Sequence, residues 1–240
     1  MSIRLASAAA VAILAGACHV GADAEERDPG PDVSRSYQVG AFDRIAVAGP
    51  YEVNVVTGGQ GGITAKGGEH LLAETDVVVE GNTLKIKPKK KKGVRWTWRG
   101  GKAVFTVNAA ALRGAAIAGS GGVTVDKVAG DFEGDVAGSG DMRIARIDGG
   151  KAKFAIAGSG DVEVNGKADS VELSIAGSGD IRAGGLTTRT ADVSIMGSGS
   201  VTANASESAD VSIAGSGDVD ISGGAKCNIS KAGSGDVNCH

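Results

Sequence analysis

Aromatic residues and histidine are scarce in this sequence, and each scarcity narrows what the chain can be. Aromatic side chains make up 3% of the 240 residues, so the core must be thin and aliphatic. The three histidines are His19, His70 and His240, and none lies between residues 113 and 239. Because a serine nucleophile needs a base beside its hydroxyl, Ser-His catalysis is not expected in that part of the chain.

Long hydrophobic runs are also missing. The apolar run Leu5–Ala17 follows Arg4, ends in small residues and is too short to span a bilayer permanently, so residues 1–17 are expected to be a signal peptide. Two processing routes remain open. The sequence LAGAC is similar to a bacterial lipobox and would make Cys18 the lipidated first residue, whereas the ADA sequence ending at Ala24 is an ordinary signal-peptidase site. We favour Cys18, and both routes predict an exported protein of the periplasm, outer membrane or cell surface.

Glycine, by contrast, is abundant, and much of it belongs to a repeat. The tripeptide Gly-Ser-Gly occurs seven times at spacings of 18 to 20 residues, and Asp follows five of the copies. A fixed period in this range indicates a structural repeat. The first glycines, which we expect to form turns, are Gly119, Gly138, Gly158, Gly177, Gly197, Gly215 and Gly233.

Apolar and polar residues alternate on both sides of each Gly-Ser-Gly. Two residues before the first glycine the copies carry Ile or Val, except Lys231 in the last, and four residues after it they carry Val, Ile or Met. Alternation of this kind predicts a strand, a tight turn at glycine and a second strand. Such units must stack to bury their apolar faces. We therefore predict an all-β, right-handed parallel β-solenoid with coils of about 19 residues, the less favoured alternative being an antiparallel sandwich.

The chain before the repeats divides into two parts. Residues 18–40 contain prolines and charges and are expected to be a flexible linker. Residues 41–112 carry irregular strand signals, with a short helical turn at Leu71 and Leu72, and are expected to form an N-terminal β cap on the regular repeats of residues 113–240. The sequence thus predicts one β-solenoid domain over residues 41–240.

Cysteine parity points to a disulfide. If Cys18 is lipidated, Cys227 and Cys239 remain as a pair in an oxidising compartment. They lie six residues before and six residues after the last repeat glycine, both at inward positions. We favour a disulfide that clamps the last coil, and the alternative is two buried free thiols.

The combined pattern resembles the head GIN domain family of bacterial envelope proteins, also called putative auto-transporter adhesin. The resemblance covers residues 42–240 and rests on the segments FDRIAVAGPYEVNVVTGG, GEHLLAETDVVVEGNTLKIKPKK and WTW and on the AGSGD series. It implies a right-handed β-helix with Gly-Ser-Gly turns and a surface-adhesion role. It implies no catalytic residues and no cofactor.

A basic segment with two tryptophans is the strongest local charge feature. It could contact anionic lipid or polysaccharide of the envelope or of a host or neighbouring surface, and the alternative is a solvated hairpin tip. Nucleic acid is not an expected partner of an exported protein. The candidate contact residues are Lys89, Lys90, Lys91, Lys92, Arg95, Trp96, Trp98 and Arg99.

The repeated Asp and Ser residues are interpreted as turn residues. Calcium needs six to eight oxygen ligands, whereas one Asp recurs per coil, so a metal site is not expected. Asp side chains accept hydrogen bonds from nearby backbone amides, which explains the repeated Asp without a ligand.

Taken together, these features of the sequence predict a non-catalytic adhesin or interaction module tethered by lipid. The alternatives are a structural or stress-related envelope lipoprotein without a specific ligand and, less favoured, a carbohydrate-active enzyme.

Overall fold

The computed structural model describes residues 25–59, 61–89, 96–98 and 101–240 of the chain. The predicted signal peptide and Cys18 lie outside these ranges. The elements before the repeats are β1 (Glu25–Arg27), β2 (Asp32–Tyr37), β3 (Arg44–Ala48), β4 (Tyr51–Thr57), β5 (Gly62–Gly68), α1 (Glu69–Ala73), β6 (Thr75–Glu80), β7 (Thr83–Pro88), β8 (Trp96–Trp98) and β9 (Ala103–Ala109).

The repeat region is composed of strands joined at glycine corners. Its elements are β10 (Gly114–Gly119), β11 (Gly122–Val125), β12 (Val128–Ala129), β13 (Phe132–Gly138), β14 (Asp141–Asp148), β15 (Lys151–Gly158), β16 (Val162–Lys167), β17 (Ser170–Gly177), β18 (Ile181–Gly197), β19 (Val201–Gly215), β20 (Val219–Ser222), β21 (Lys226–Gly233) and β22 (Val237–Cys239). Strands β18 and β19 each run through a bend and serve two coils.

Parallel pairing from coil to coil builds two long faces that meet at the corners. Face A holds the strands that run into the corners, in the spatial order β7, β3, β10, β13, β15, β17, then the second halves of β18 and β19, then β21. Face B holds the strands that leave the corners, in the order β9, β4, β11, β14, β16, the first halves of β18 and β19, β20 and β22.

The register is constant along the repeats on face A, because the first glycine of each Gly-Ser-Gly pairs with the first glycine of the next. On face B the register shifts within the β14–β16, β16–β18 and β18–β19 pairings. The residues beside the corners therefore keep the same height from coil to coil, and the apolar ones form continuous inward columns. The predicted parallel β-solenoid is confirmed, and the antiparallel sandwich is excluded for the repeats.

The core is a stack of aliphatic side chains with one bulky layer. Ile156, Ile175 and Ile195 are each 2% exposed and stack in one column, and each such side chain contributes roughly 1.5–3 kcal/mol when fully buried. In another column Phe154 lies against Gly134, where an added Cβ would come within 2.6 Å of the Phe154 ring. The absent side chain thus makes room for the ring in an otherwise narrow core.

The N-terminal end is closed by strands that are antiparallel to the stack. Strand β6 pairs with β7, β5 pairs with β9, and β2 pairs with β5, so the ends of both faces are covered. Strand β2 lies within the predicted flexible linker, so that prediction is wrong for Asp32–Tyr37, whose alternating residues pair with β5 and cover the sheet. Helix α1 adds the buried side chains of Leu71 and Leu72. These elements form the expected N-terminal β cap, which protects strand edges that would otherwise recruit another chain.

The coils of this end do not follow chain order. Strands β3 and β4 form a coil that lies between the later β7–β9 coil and the β10–β11 coil. In the β3–β4 coil Gly49 and Pro50 replace Gly-Ser-Gly, and the Gly49 N–H donates to the Ala118 carbonyl at 2.9 Å. The row of stacked corners therefore continues past the Gly-Ser-Gly repeats towards the cap.

The C-terminal coil is closed by a disulfide and a lysine. Cys227 and Cys239 are bonded, with their Cα atoms 6.6 Å apart, as the parity and position of the two residues predicted. Lys231 stands in the inward column that holds Ile or Val in the other repeats, and its Nζ donates to the Gly235 carbonyl at 2.6 Å. An inward charge at the end of a sheet opposes addition of another strand.

Removal of the disulfide is expected to loosen the last coil alone. The two cysteines are 12 residues apart in sequence, and closing a loop of this length contributes about 3 kcal/mol to the free energy of unfolding in the chain-entropy account. The stability of a solenoid coil depends mainly on its neighbouring coils. In the Cys227→Ser, Cys239→Ser variant, hydrogen exchange should accelerate in β21 and β22 and stay unchanged in β15 and β17. Reduction of the wild-type protein should reproduce the pattern. Uniform acceleration along the chain would contradict this assignment.

Candidate functional site

The Gly-Ser-Gly corners are held together by backbone contacts between coils. In each copy after the first, the serine N–H donates to the carbonyl of the preceding coil's first glycine at 2.8–3.0 Å. The first glycines have φ between +121° and +139°, a region that side chains disfavour. The serine side chains lie at exposed positions. The corner thus has a structural use for every residue of the motif.

The Asp residues that follow Gly-Ser-Gly, here called the Asp ladder, also form hydrogen bonds between coils. Asp141 Oδ1 accepts from the Asp161 N–H at 3.1 Å, Asp161 Oδ1 accepts from the Asp180 N–H at 3.1 Å, and Asp180 Oδ1 accepts from the Ser200 N–H at 3.0 Å. Each carboxylate therefore satisfies an amide of the following coil. Within the described ranges, no group of three or more His, Cys, Asp or Glu residues is arranged to hold a metal ion.

Loss of one ladder carboxylate is expected to cost about 1–3 kcal/mol of unfolding free energy, because the part-buried Asp180 N–H loses its acceptor. We predict this result for Asp161→Ala, with a smaller loss for Asp161→Asn, which keeps an acceptor oxygen. Asp192→Ala, at an exposed position on face A, is the control and should change stability by less than about 0.5 kcal/mol. Denaturant unfolding measures all three. Equal stability of the Ala and Asn variants would contradict the hydrogen-bond role.

Ion pairs cover much of face B beside the ladder. Arg182 contacts Asp161 Oδ2 at 2.9 Å and Asp180 Oδ2 at 3.1 Å, and Arg143 contacts Glu163 at 2.9 Å. The hydrogen bond to Asp161 raises the pKa of Arg182 above its usual value. Opposite charges thus alternate from coil to coil, and this face is balanced rather than strongly charged.

Two carboxyl groups lie close together on the outer side of face A. Burial raises the pKa of Asp135 above its usual value, and the charge of Glu133 adds to that shift. Glu133 is itself paired with Arg44 at 3.0 Å. Since glycoside hydrolysis needs two carboxyl groups available to one bond, the Glu133–Arg44 pair makes this arrangement a poor acid–base site.

The corner between β7 and β9 differs from all the Gly-Ser-Gly corners. Pro88 lies beside Gly49, and Ala103 pairs with Tyr51, so the chain between Pro88 and Ala103 joins β7 to β9 as Gly49 and Pro50 join β3 to β4 in the neighbouring coil. This span contains the predicted contact residues. The strands that flank it in sequence, β7 and β9, lie at the capped end of the solenoid.

Two lysines on β7, just before this span, are paired with an acid. Glu80 on β6 contacts Lys85 Nζ at 2.6 Å and Lys87 Nζ at 3.1 Å, and these bonds lower the pKa of Glu80. Residues 85–102 contain no acid, but β6, the antiparallel neighbour of β7, supplies one. Lys89 donates from Nζ to the Ala73 carbonyl at 2.6 Å, and Lys102 is exposed.

The two tryptophans fall on strand β8, which pairs in parallel with β1. The register places Glu25 opposite Trp96, Glu26 opposite Thr97 and Arg27 opposite Trp98. The positions of Lys90, Lys91, Lys92, Arg95 and Arg99 lie outside the described residues. Sequence reasoning missed the β1–β8 pairing, because three residues without periodicity give no signal for a partner so far along the chain.

In the part of the chain that the structure describes, no helix has the length and apolarity to cross a bilayer.

Comparison with known proteins gives a consistent picture. A family model described as "putative auto-transporter adhesin, head GIN domain" matches residues 41–225. A crystal structure described as a putative adhesin from Bacteroides fragilis NCTC 9343 has a TM-score of 0.76 and 26% identity, covering 89% of this chain and 100% of that one. One described as a putative lipid binding protein from Parabacteroides distasonis ATCC 8503 has a TM-score of 0.74 and 26% identity, covering 90% and 100%. No curated protein matches significantly.

Proposed function

This chain belongs to the head GIN domain family, described as putative auto-transporter adhesin, and we propose that it is an exported, non-catalytic interaction module of the cell envelope. The family and the similar structures are described as adhesins or as a lipid binding protein, not as enzymes. In this proposal the stacked coils serve as a scaffold, and the surface that contacts a partner lies outside the Gly-Ser-Gly coils.

The observation that carries this proposal is the replaced corner between β7 and β9. Every Gly-Ser-Gly corner turns with residues that the stack itself uses, whereas the chain that joins β7 to β9 carries seven basic residues and no acid between residues 89 and 102. We propose that Lys89–Lys92, Arg95, Trp96, Trp98 and Arg99 contact an anionic surface. Lysine and arginine supply long-range attraction, and tryptophan supplies an amphipathic face. The neighbour described as lipid binding supports an anionic lipid as one such surface.

We further propose the layout of the chain. Residues 1–17 are a signal peptide, Cys18 is the lipidated residue, residues 18–40 connect it to the domain and add strands β1 and β2 to the capped end, and residues 41–240 form the β-solenoid. The position of Cys18 directly after the apolar run supports this layout. Palmitate labelling of the wild type and of Cys18→Ala tests it. Equal labelling of both would refute the lipid anchor.

A structural envelope protein without a ligand is the second candidate, favoured by the balanced ion pairs on face B. Binding to anionic vesicles and to a glycan array separates the two. We expect binding that weakens with salt and that is lost when Lys89–Lys92 are changed to alanine. The matched control replaces Lys151, Lys153, Lys167 and Lys226 with alanine and should bind as the wild type does. Absence of binding to every surface would favour the structural candidate.

A further inference from the structure

We propose that the capped end of the solenoid faces the membrane that tethers the chain, and that β8 and its flanking lysines rest on the anionic headgroups of that bilayer. This inference rests on the proposed function and adds its orientation and its partner. The last coil, with the disulfide, then lies farthest from the membrane.

The first step is the pairing of β1 with β8. The parallel register fixes Glu25 opposite Trp96, so the start of the described chain is held against the tryptophan strand. Cys18 precedes Glu25 by seven residues, which span at most about 25 Å when fully extended. A lipid on Cys18 would therefore hold β8 close to the bilayer surface.

The second step is the place of β8 in the stack. Strands β7 and β9, which flank β8 and the basic residues in sequence, form the first coil in space, whereas β21 and β22 form the last. Strand spacing is about 4.8 Å per coil, so the two ends are roughly 40 Å apart. Tether and basic span thus share one end of the molecule.

The third step is charge. Lys89 and Lys102 flank the strand at exposed positions, and the sequence between them adds only basic charges. Glu25 and Glu26 on β1 offset part of this charge, but the pair of segments stays strongly positive. Attraction to an anionic leaflet falls off within a Debye length of about 8 Å, so it acts only on a segment that lies at the surface, which a tether of at most about 25 Å allows β8 to reach. This dependence favours the tethering bilayer over a soluble polysaccharide.

The two tryptophans make the test direct, since the chain has no others. The exported protein with its natural N-terminus is mixed with phosphatidylcholine vesicles with or without phosphatidylglycerol, both containing brominated lipid. We expect quenching and a blue shift of the tryptophan emission that are much stronger on the anionic vesicles and that are reversed by salt.

Charge reversal locates the contact. Lys89→Glu together with Lys102→Glu should weaken the anionic binding by about tenfold or more, while Lys151→Glu together with Lys226→Glu should leave it unchanged. Because Lys89 also bonds to Ala73, Lys102→Glu alone is measured as well and should weaken binding in the same direction.

The outcomes separate this inference from the proposed function. Anionic binding without tryptophan quenching would overturn the orientation and leave the interaction module standing. Tryptophan changes with acidic polysaccharide but not with vesicles would overturn the lipid partner alone. No response to any anionic surface would contradict both.

Discussion

Gly177→Ala is expected to lower the unfolding free energy by about 3–5 kcal/mol, although it adds a single methyl group. Gly177 has φ +139°, and an added Cβ would lie closer than 3.0 Å to the backbone of Gly158 in the preceding coil. The substitution therefore combines backbone strain with a clash against atoms that cannot move without opening the corner.

Three other glycines separate the two causes. Gly179 lacks the positive φ but has the close backbone contact, and its alanine variant should cost about 2–3 kcal/mol. Gly149 has φ +78° and open space, and should cost about 1–2 kcal/mol. Gly184 has neither constraint, so its alanine variant should stay within about 0.5 kcal/mol of wild type.

Denaturant unfolding of the four alanine variants decides between the explanations. If the corner account holds, the loss for Gly177 approximates the sum of the losses for Gly179 and Gly149. A Gly177 variant as stable as the Gly184 variant would show that the corners tolerate side chains and that the glycine repeat has another cause.

Phe154→Ala is the second large effect, with an expected loss of about 3–5 kcal/mol. The ring is fully buried and lies 5.9 Å from the Phe132 ring, centroid to centroid. It fills the space left by Gly134, where an added Cβ would meet the ring at 2.6 Å and Met142 Sδ at 2.7 Å. Gly134→Ala should therefore cost about 1–3 kcal/mol by overpacking.

The pair is best tested by a double-mutant cycle. In the Phe154→Ala background the methyl group of Ala at position 134 enters vacated space, so the two losses should couple by about 1–3 kcal/mol. Leu173, which stacks on the far side of Phe154, is the control. Leu173→Ala combined with Gly134→Ala should be additive within about 0.5 kcal/mol. Additivity in both cycles would contradict the proposed fit between glycine and ring.

Periodicity explains which parts of the fold were predictable. The inward Ile and Val columns and the glycine corners recur with the Gly-Ser-Gly period, and Cys227 and Cys239 occupy equal offsets from the last copy. The structure confirms all three. The cap was predictable in outline, because turn residues separate its strands. Leu71 and Leu72 lie in the expected short helix.

Other features had no periodic signal. The β3–β4 coil lies between two coils that come later in the chain. This order could not be predicted, because it depends on pairing between residues that are distant in sequence. Glu80 pairs with Lys85 and Lys87, which precede the basic segment, from a neighbouring strand. The Asp carboxylates accept from amides of the next coil, a partner that lies about 20 residues away. In each case the missing information is the three-dimensional neighbour, which alternation along one strand does not encode.

The central claim is that the solenoid is a scaffold and that its contact surface is the irregular span at the capped, tethered end. Hydrogen exchange of the exported protein, with and without phosphatidylglycerol-containing vesicles, tests it most directly. We predict that protection on binding is confined to residues 25–27 and to the span between β7 and β9, while the Gly-Ser-Gly coils exchange as in the free protein. Protection spread along the outer surfaces of faces A and B would contradict the account.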